Sequence, residues 1–187
     1  MSLEQKINNL ETDLHIMGTL VLDSLVGAVR ALEDKDTLKA SEVMDKDDEI
    51  DDAYMKIDQD WFELMATEQP VASDLRLSTS ILQASLHLER LGDLSVYLGK
   101  TTHEIHDLPI PESLHKIVVE MGDMVIDMAS SALESLKNRD AELALSTARK
   151  DELINSLYNK MLNEVPNISG NKDLDSGVFR LITCVRT

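Results

Sequence analysis

The 187-residue sequence predicts an all-α fold, a tandem pair of antiparallel three-helix bundles with the last helix truncated. Three observations carry this. Apolar residues recur in alternating steps of three and four, the period of one helix face. Aromatic residues number only six against nine Met and many Leu, Ile and Ala, whereas strands favour aromatic and β-branched side chains. Displacing the chain by 104 residues also superimposes one half on the other without a gap.

The first predicted helix carries Leu10, Leu14, Met17, Val21, Ser24, Ala28 and Ala31, a narrow seam of the kind that packs helices nearly parallel. It ends at the charged turn Glu33–Asp36, where Asp36 can cap the next helix. The second seam is Val43, Asp47, Ile50, Tyr54, Ile57, Trp61 and Leu64, read as one continuous helix and broken by Gln69-Pro70. Ser73 or Asp74 then caps a third, whose seam runs Leu75, Thr79, Leu82, Leu86, Glu89, Asp93 and Val96. His106–Pro111 is the only two-proline stretch and divides the halves, 1–105 and 112–187. A fourth helix carries Leu114, Val118, Met121, Val125, Met128 and Ala132, and Asn138-Arg139-Asp140 turns into a fifth through Asp151, Ile154, Tyr158 and Met161. Pro166 to Gly177 reads as a polar loop, and Val178 to Val185 begins a sixth helix.

In the 104-residue alignment, Met17-Gly18 falls on Met121-Gly122, Asp36 on Asp140, and Lys46-Asp47 on Lys150-Asp151. Thirteen of the forty-one pairs across 17–57 and 121–161 are identical, with matched turns, which chance helical composition does not readily produce. Past the unlike loops, Arg76-Leu77 still meets Arg180-Leu181. Counterparts of Glu89 and Asp93 would fall at positions 193 and 197, beyond Thr187. The expectation is that the chain is short relative to its relatives or that another subunit covers the exposed face. The paired glycines are read as points of close helix approach, since Gly inside a helix costs ~1 kcal/mol against Ala.

Charge narrows the functional classes. Eighteen basic residues against thirty-five acidic leave a net charge of −17. That argues against a nucleic-acid surface and against docking on anionic lipid, both of which need clustered Lys and Arg. The single Cys184 excludes an intrachain disulfide and fits a reducing compartment. There is no signal-peptide h-region, no apolar run near the ~18 residues that read as a membrane span, and no glycine-rich phosphate loop.

The seams are interrupted by acids. Asp47 and Asp51 stand one turn apart on the second helix, as Glu89 and Asp93 do on the third. Asp51 lies 17 residues before position 68 and Glu89 lies 16 after position 73, so at ~1.5 Å per residue the two pairs stand at similar height. Such a cluster repels itself unless solvent, shared protons or a bound cation relieves it. All-oxygen donors suit Mg, Ca, Mn or Fe ions, and Zn less well. The plain alternative is a hydrated acidic stripe paired with Lys46 and Arg90.

These residues also carry a resemblance. Gln69-Pro70-Val71-Ala72-Ser73-Asp74-Leu75-Arg76, with Asp47-Asp48-Glu49-Ile50-Asp51 before it and Glu89-Arg90-Leu91-Gly92-Asp93 after it, resembles the PhoU family over nearly the whole chain. The resemblance implies paired three-helix bundles, often dimeric or larger, in the cytoplasm. It implies a non-enzymatic adaptor acting on the phosphate ABC transporter's ATPase subunit and a phosphate-sensing histidine kinase, restraining uptake and the transcriptional starvation response. It further implies metal binding through E(D)-x-x-x-D motifs, carried here by Asp47, Asp51, Glu89 and Asp93, with Asp151 from the second repeat. The chain departs from the pattern at Asn155, which replaces the acid following Asp151, at Leu94-Ser95 where the family often has His-Ala, and in lacking a second E-R-x-G-D. The rival reading is a carboxylate-bridged metal-binding protein or metalloenzyme; its usual Glu-x-x-His signature occurs only at Glu112–His115.

Overall fold

The structure, a computed structural model, describes residues 1–165 and 172–186, and those residues form eight helices and no strand. They are α1 (Leu3–Asp34), α2 (Thr37–Asp45), α3 (Asp47–Glu68), α4 (Ala72–Ile105), α5 (Glu112–Asn138), α6 (Ala141–Arg149), α7 (Asp151–Glu164) and α8 (Lys172–Arg186).

Local chemistry fixes the boundaries, and fixes them twice. α1 ends where Lys35 takes the left-handed conformation, its N–H donating to the Leu32 carbonyl while the Asp36 N–H reaches Ala31. Asp36 then caps α2 through the N–H groups of Leu38 and Lys39. At the end of α5, Arg139 adopts the same conformation, bonds Leu136, and is followed by Asp140 capping α6. The sequence repeat is thus a repeat of turns as well as of side chains.

Four expectations need correction. Neither Ser73 nor Asp74 caps α4: the helix already begins at Ala72, behind the left-handed turn, and its N-cap is Val71, which has no side chain able to accept a hydrogen bond. The second helix is not continuous: it breaks at Lys46 into α2 and α3, and the second repeat breaks at the equivalent Lys150 into α6 and α7. A break gives Asp47, Asp48 and Glu49 a fresh helix N-terminus, whose free N–H groups and positive dipole end favour acids that would sit poorly mid-helix. The third seam is also displaced. The buried face of α4 is Ser78, Ile81, Ser85, Leu88, Gly92, Ser95, Gly99 and Thr102, while Leu75 and Leu86 are exposed. Small residues were the hidden signal there. They let α4 approach α3 and α2 so closely that a Cβ on Gly92 would meet Ile50 at 3.1 Å. Finally, residues 172–177 are helical, with Asp173 and Asp175 in the first turn of α8; the rest of the predicted 166–177 loop lies outside the described residues.

The first and second seams hold; the fourth is buried at Leu114, Val118 and Met121 and the fifth at Met161, while Ala132 and Asp151 face solvent. All seven residues of the first are buried, and Ile50, Ile57 and Leu64 anchor the second. One apolar cluster gathers Leu10, Leu14, Met17 and Val21 of α1 with Ile50, Ile57 and Leu64 of α3 and Ile81 and Leu88 of α4. A second gathers Leu114, Ile117, Val118 and Met121 of α5 with Met161, Val178 and Leu181, and it recruits Leu32 and Ile105 from the first half. α1 is the one described helix long and apolar enough to cross a membrane by length and composition. Half of its most apolar stretch is buried in the bundle, as in a core helix.

The halves meet along antiparallel α1 and α5, and the contact is reciprocal. A Cβ on Gly18 would meet Leu133 Cδ1 at 2.8 Å, and one on Gly122 would meet Val29 Cγ2 at 2.7 Å. Gly18 aligns with Gly122 and Val29 with Leu133 at the 104-residue offset, so each half offers the other the same hole and the same knob. This is the geometry of a two-fold isologous interface, made within one chain. Arg30 adds a link to Asp123, and His115 and His106 hydrogen-bond the Leu32 and Lys35 carbonyls at the end of α1.

Candidate functional site

Four of the five acids singled out from the sequence lie within electrostatic reach of one another, without closing into a ligand set among the described residues. Asp47 and Asp51 occupy the first turns of α3, Glu89 and Asp93 the middle of antiparallel α4, and each helix offers its pair toward the other. Burial, then Asp51, then Asp93 push the Asp47 carboxyl above its ordinary value, against a lowering by Lys100. Burial, then Asp93, then Asp51 do the same for Glu89, with Arg90 opposing and Asp47 adding to the rise. Desolvation and like charge act in one direction here. Among the described residues no ion pair engages any of the four, including the Lys46 and Arg90 pairings considered from sequence.

Asp151 behaves differently. It accepts a hydrogen bond from Asn155 Nδ2 at 2.8 Å and is not among the leading influences on Asp47 or Glu89. The amide that replaced its i+4 acid has become its partner.

The donor type at Asp47, Asp51, Glu89 and Asp93 fits a hard or borderline cation, since every group is a carboxylate and two of them already resist ionisation. Among the described residues, however, no three His, Cys, Asp or Glu side chains are drawn together as a ligand set. The Glu-x-x-His signature is committed elsewhere: Glu112 pairs with Lys116 and His115 Nε2 bonds the Leu32 carbonyl. Cys184, on α8, has its thiol pushed up to about 11 by burial, which leaves it a poor nucleophile.

Two features of this region escaped sequence reasoning. The turn from α3 to α4 holds Gln69 and Ala72 at positive φ, 48° and 49°, a conformation costing a non-glycine residue ~1–2 kcal/mol. Nothing in a single sequence marks it, since neither residue is Gly or Asn. Trp61 packs against the first core yet leaves its indole N–H buried without a partner.

The described residues are those of an all-α protein, a tandem helical array with carboxylate pairs on the two helices of one hairpin. The family model for the PhoU domain matches residues 14–102 and 118–186, and the chain belongs to the PhoU family. It is 32% identical over 169 residues to the phosphate-specific transport system accessory protein PhoU homolog of Clostridium acetobutylicum, covering 88% of this chain and 75% of that protein. It is equally identical over 160 residues to the Pseudomonas putida homolog of the same name, spanning 62% of that longer chain. The crystal structure of PhoU from Pseudomonas aeruginosa superimposes with a TM-score of 0.94 at 30% identity, covering 99% of this chain and 89% of that one. The phosphate transport system regulatory protein PhoU from Streptococcus pneumoniae follows at 0.87 and 26%, covering 99% and 87%.

Proposed function

We propose that this chain is a non-enzymatic regulator of phosphate uptake and phosphate-starvation signalling. In this reading it is a cytoplasmic adaptor, assembled as a homodimer or higher homo-oligomer from two repeats, 1–105 and 112–187. Its partners are the ATPase subunit of a phosphate ABC transporter and a phosphate-sensing histidine kinase. The observation that carries the proposal is the match of 99% of the chain to a PhoU crystal structure at a TM-score of 0.94. Relatives named as accessory proteins of phosphate-specific transport support it. The absence of a nucleophile–base pair from the sequence agrees with an adaptor. With a net charge of −17, free phosphate is a poor direct ligand, and information about phosphate would reach this protein through its partners. Affinity capture of the transporter ATPase and the kinase on the intact chain, at low salt and at both phosphate levels, tests this. Capture of neither at either level refutes it.

A cation at Asp47, Asp51, Glu89 and Asp93 is the second part of the reading, favoured by the raised Asp47 and Glu89 carboxyls. Bound there, it would supply positive charge that relieves their repulsion and ties α3 to α4. Calorimetric titration with Mn, Mg, Ca, Zn and Fe ions should show uptake that D47N/E89Q abolishes. Undiminished binding in that variant places any ion elsewhere.

A further inference from the structure

The outer face of the α3–α4 hairpin carries large apolar side chains that are partly or mostly exposed. On α3, Met55 is 67% and Phe62 is 69% exposed. On α4, Leu75 and Leu86 are 42% and 36% exposed, and Val71 at the strained turn is 73% exposed. Helical register puts them together. Asp51 lies within the field of Glu89, so Met55, one turn further along α3, stands level with Leu86, three residues earlier on antiparallel α4. Phe62 follows two turns beyond Met55, with the exposed Asp58 and Gln59 on the turn between them, toward the turn that carries Val71 and Leu75. Isolated exposed apolar residues need no explanation, but several aligned on one hairpin mark a contact surface.

We propose that this face docks an amphipathic helix of a partner protein, whose apolar residues cover Met55, Leu86 and Phe62 and whose Lys or Arg residues, one to two turns further on, meet the acidic end of the hairpin. The proposal names the docking surface for the adaptor role above and rests on it. Charge selects the occupant. Asp47, Asp51, Glu89 and Asp93 continue the apolar stripe at its end remote from the turn, without ion-pair partners, and the basic residues of the docked helix would take the place of the cation proposed above. A second copy of this chain fits badly. Stacked in parallel it sets acid on acid, and stacked antiparallel it presses four carboxylates onto apolar side chains, which desolvates charge without compensation. An anionic membrane is repelled by the same acids. A helix with its apolar and basic halves in sequence satisfies both ends at once.

The probe is a synthetic 18-residue peptide with leucines at i, i+4 and i+7 in one half and three lysines on the same face of the other. A control has the same composition with leucines and lysines interleaved. Calorimetry on the intact protein should show the ordered peptide binding at least tenfold more tightly than the control. M55E/F62E should lose at least tenfold. D51N/E89Q should lose less in dilute buffer and flatten the salt dependence. Hydrogen exchange should slow over 51–62 and 82–93. Circular dichroism shows that M55E/F62E is folded, and Leu145→Glu, at a 63% exposed position on α6, should leave binding unchanged. Equal binding of both peptides, an unaffected M55E/F62E, protection elsewhere, or dissociation of an oligomer by M55E/F62E each overturns the proposal. If M55E/F62E still captures the ATPase or kinase as wild type does, the surface is wrong and the regulator reading stands. If wild type captures neither, the regulator reading itself fails.

Discussion

Replacing Gly122 by Ala tests the reciprocal seam between the halves. A Cβ at 122 would stand 2.7 Å and 3.0 Å from the two methyls of Val29, which is 1% exposed. A helical Val has one strongly preferred rotamer, so its methyls cannot swing away. Overpacking of this kind costs ~1–3 kcal/mol, and Ala in place of Gly returns ~1 kcal/mol of helix propensity. With both Val29 methyls held, the upper part of that range, about 2–3 kcal/mol, applies, so the net is a destabilisation of about 1–2 kcal/mol, or roughly 2–8 °C in melting temperature for a domain of this size. Gly18 makes the matching contact with Leu133, but the atoms it meets are the tips of a half-buried, rotatable side chain. There the two effects nearly cancel, and Gly18→Ala should shift stability by no more than about 0.5 kcal/mol. Urea titrations followed by circular dichroism and Trp61 fluorescence give both values. Adding Val29→Ala to Gly122→Ala should recover part of the loss, a coupling that a double-mutant cycle isolates. A Gly122→Ala protein as stable as wild type, or a Gly18→Ala protein more damaged than it, would refute the account of the seam.

Asp47 and Glu89 make a pH prediction of definite sign. Both carboxyls lie above their ordinary values in the folded chain, so the fold binds their protons more tightly than the unfolded chain does. Their charge therefore opposes folding above the folded-state value, and that penalty is relieved as pH falls through it. D47N/E89Q should be more stable than wild type at pH 7, with the advantage shrinking toward pH 4; a variant less stable at neutral pH contradicts this. Cys184, with its thiol near 11, should be about one-thousandth thiolate at pH 8. Its reaction with a disulfide reagent should be roughly a hundredfold slower in folded than in unfolded protein, and equal rates would place the thiol in solvent.

Particular residues show where reading a sequence succeeds. The first seam was legible because each of its residues is apolar or small at strict helical spacing, and burial of such a stripe follows from hydrophobicity alone. The pairing of Asp47 and Asp51 with Glu89 and Asp93 was legible because helix rise is constant and the turn between them is short. α4 was misread for the converse reason. Its buried face is Ser, Gly and Thr, which carry little hydrophobic signal, while Leu75 and Leu86 advertised a seam that faces solvent. Where burial is driven by close backbone approach, the residues that matter are the inconspicuous ones.

The sequence by itself determined the helical period, the 104-residue duplication, the turns at Asp36 and Asp140 and the height at which the acids meet, since all of these depend on spacing along one chain. Tertiary structure alone decided that the duplicated glycines and their knobs interlock across a two-fold seam, that Ala72 is held in a left-handed conformation, and that Met55 and Phe62 lie uncovered beside the acids. Those facts depend on which surfaces of different helices come within a few ångströms, a distance set by packing in three dimensions rather than by position along the chain.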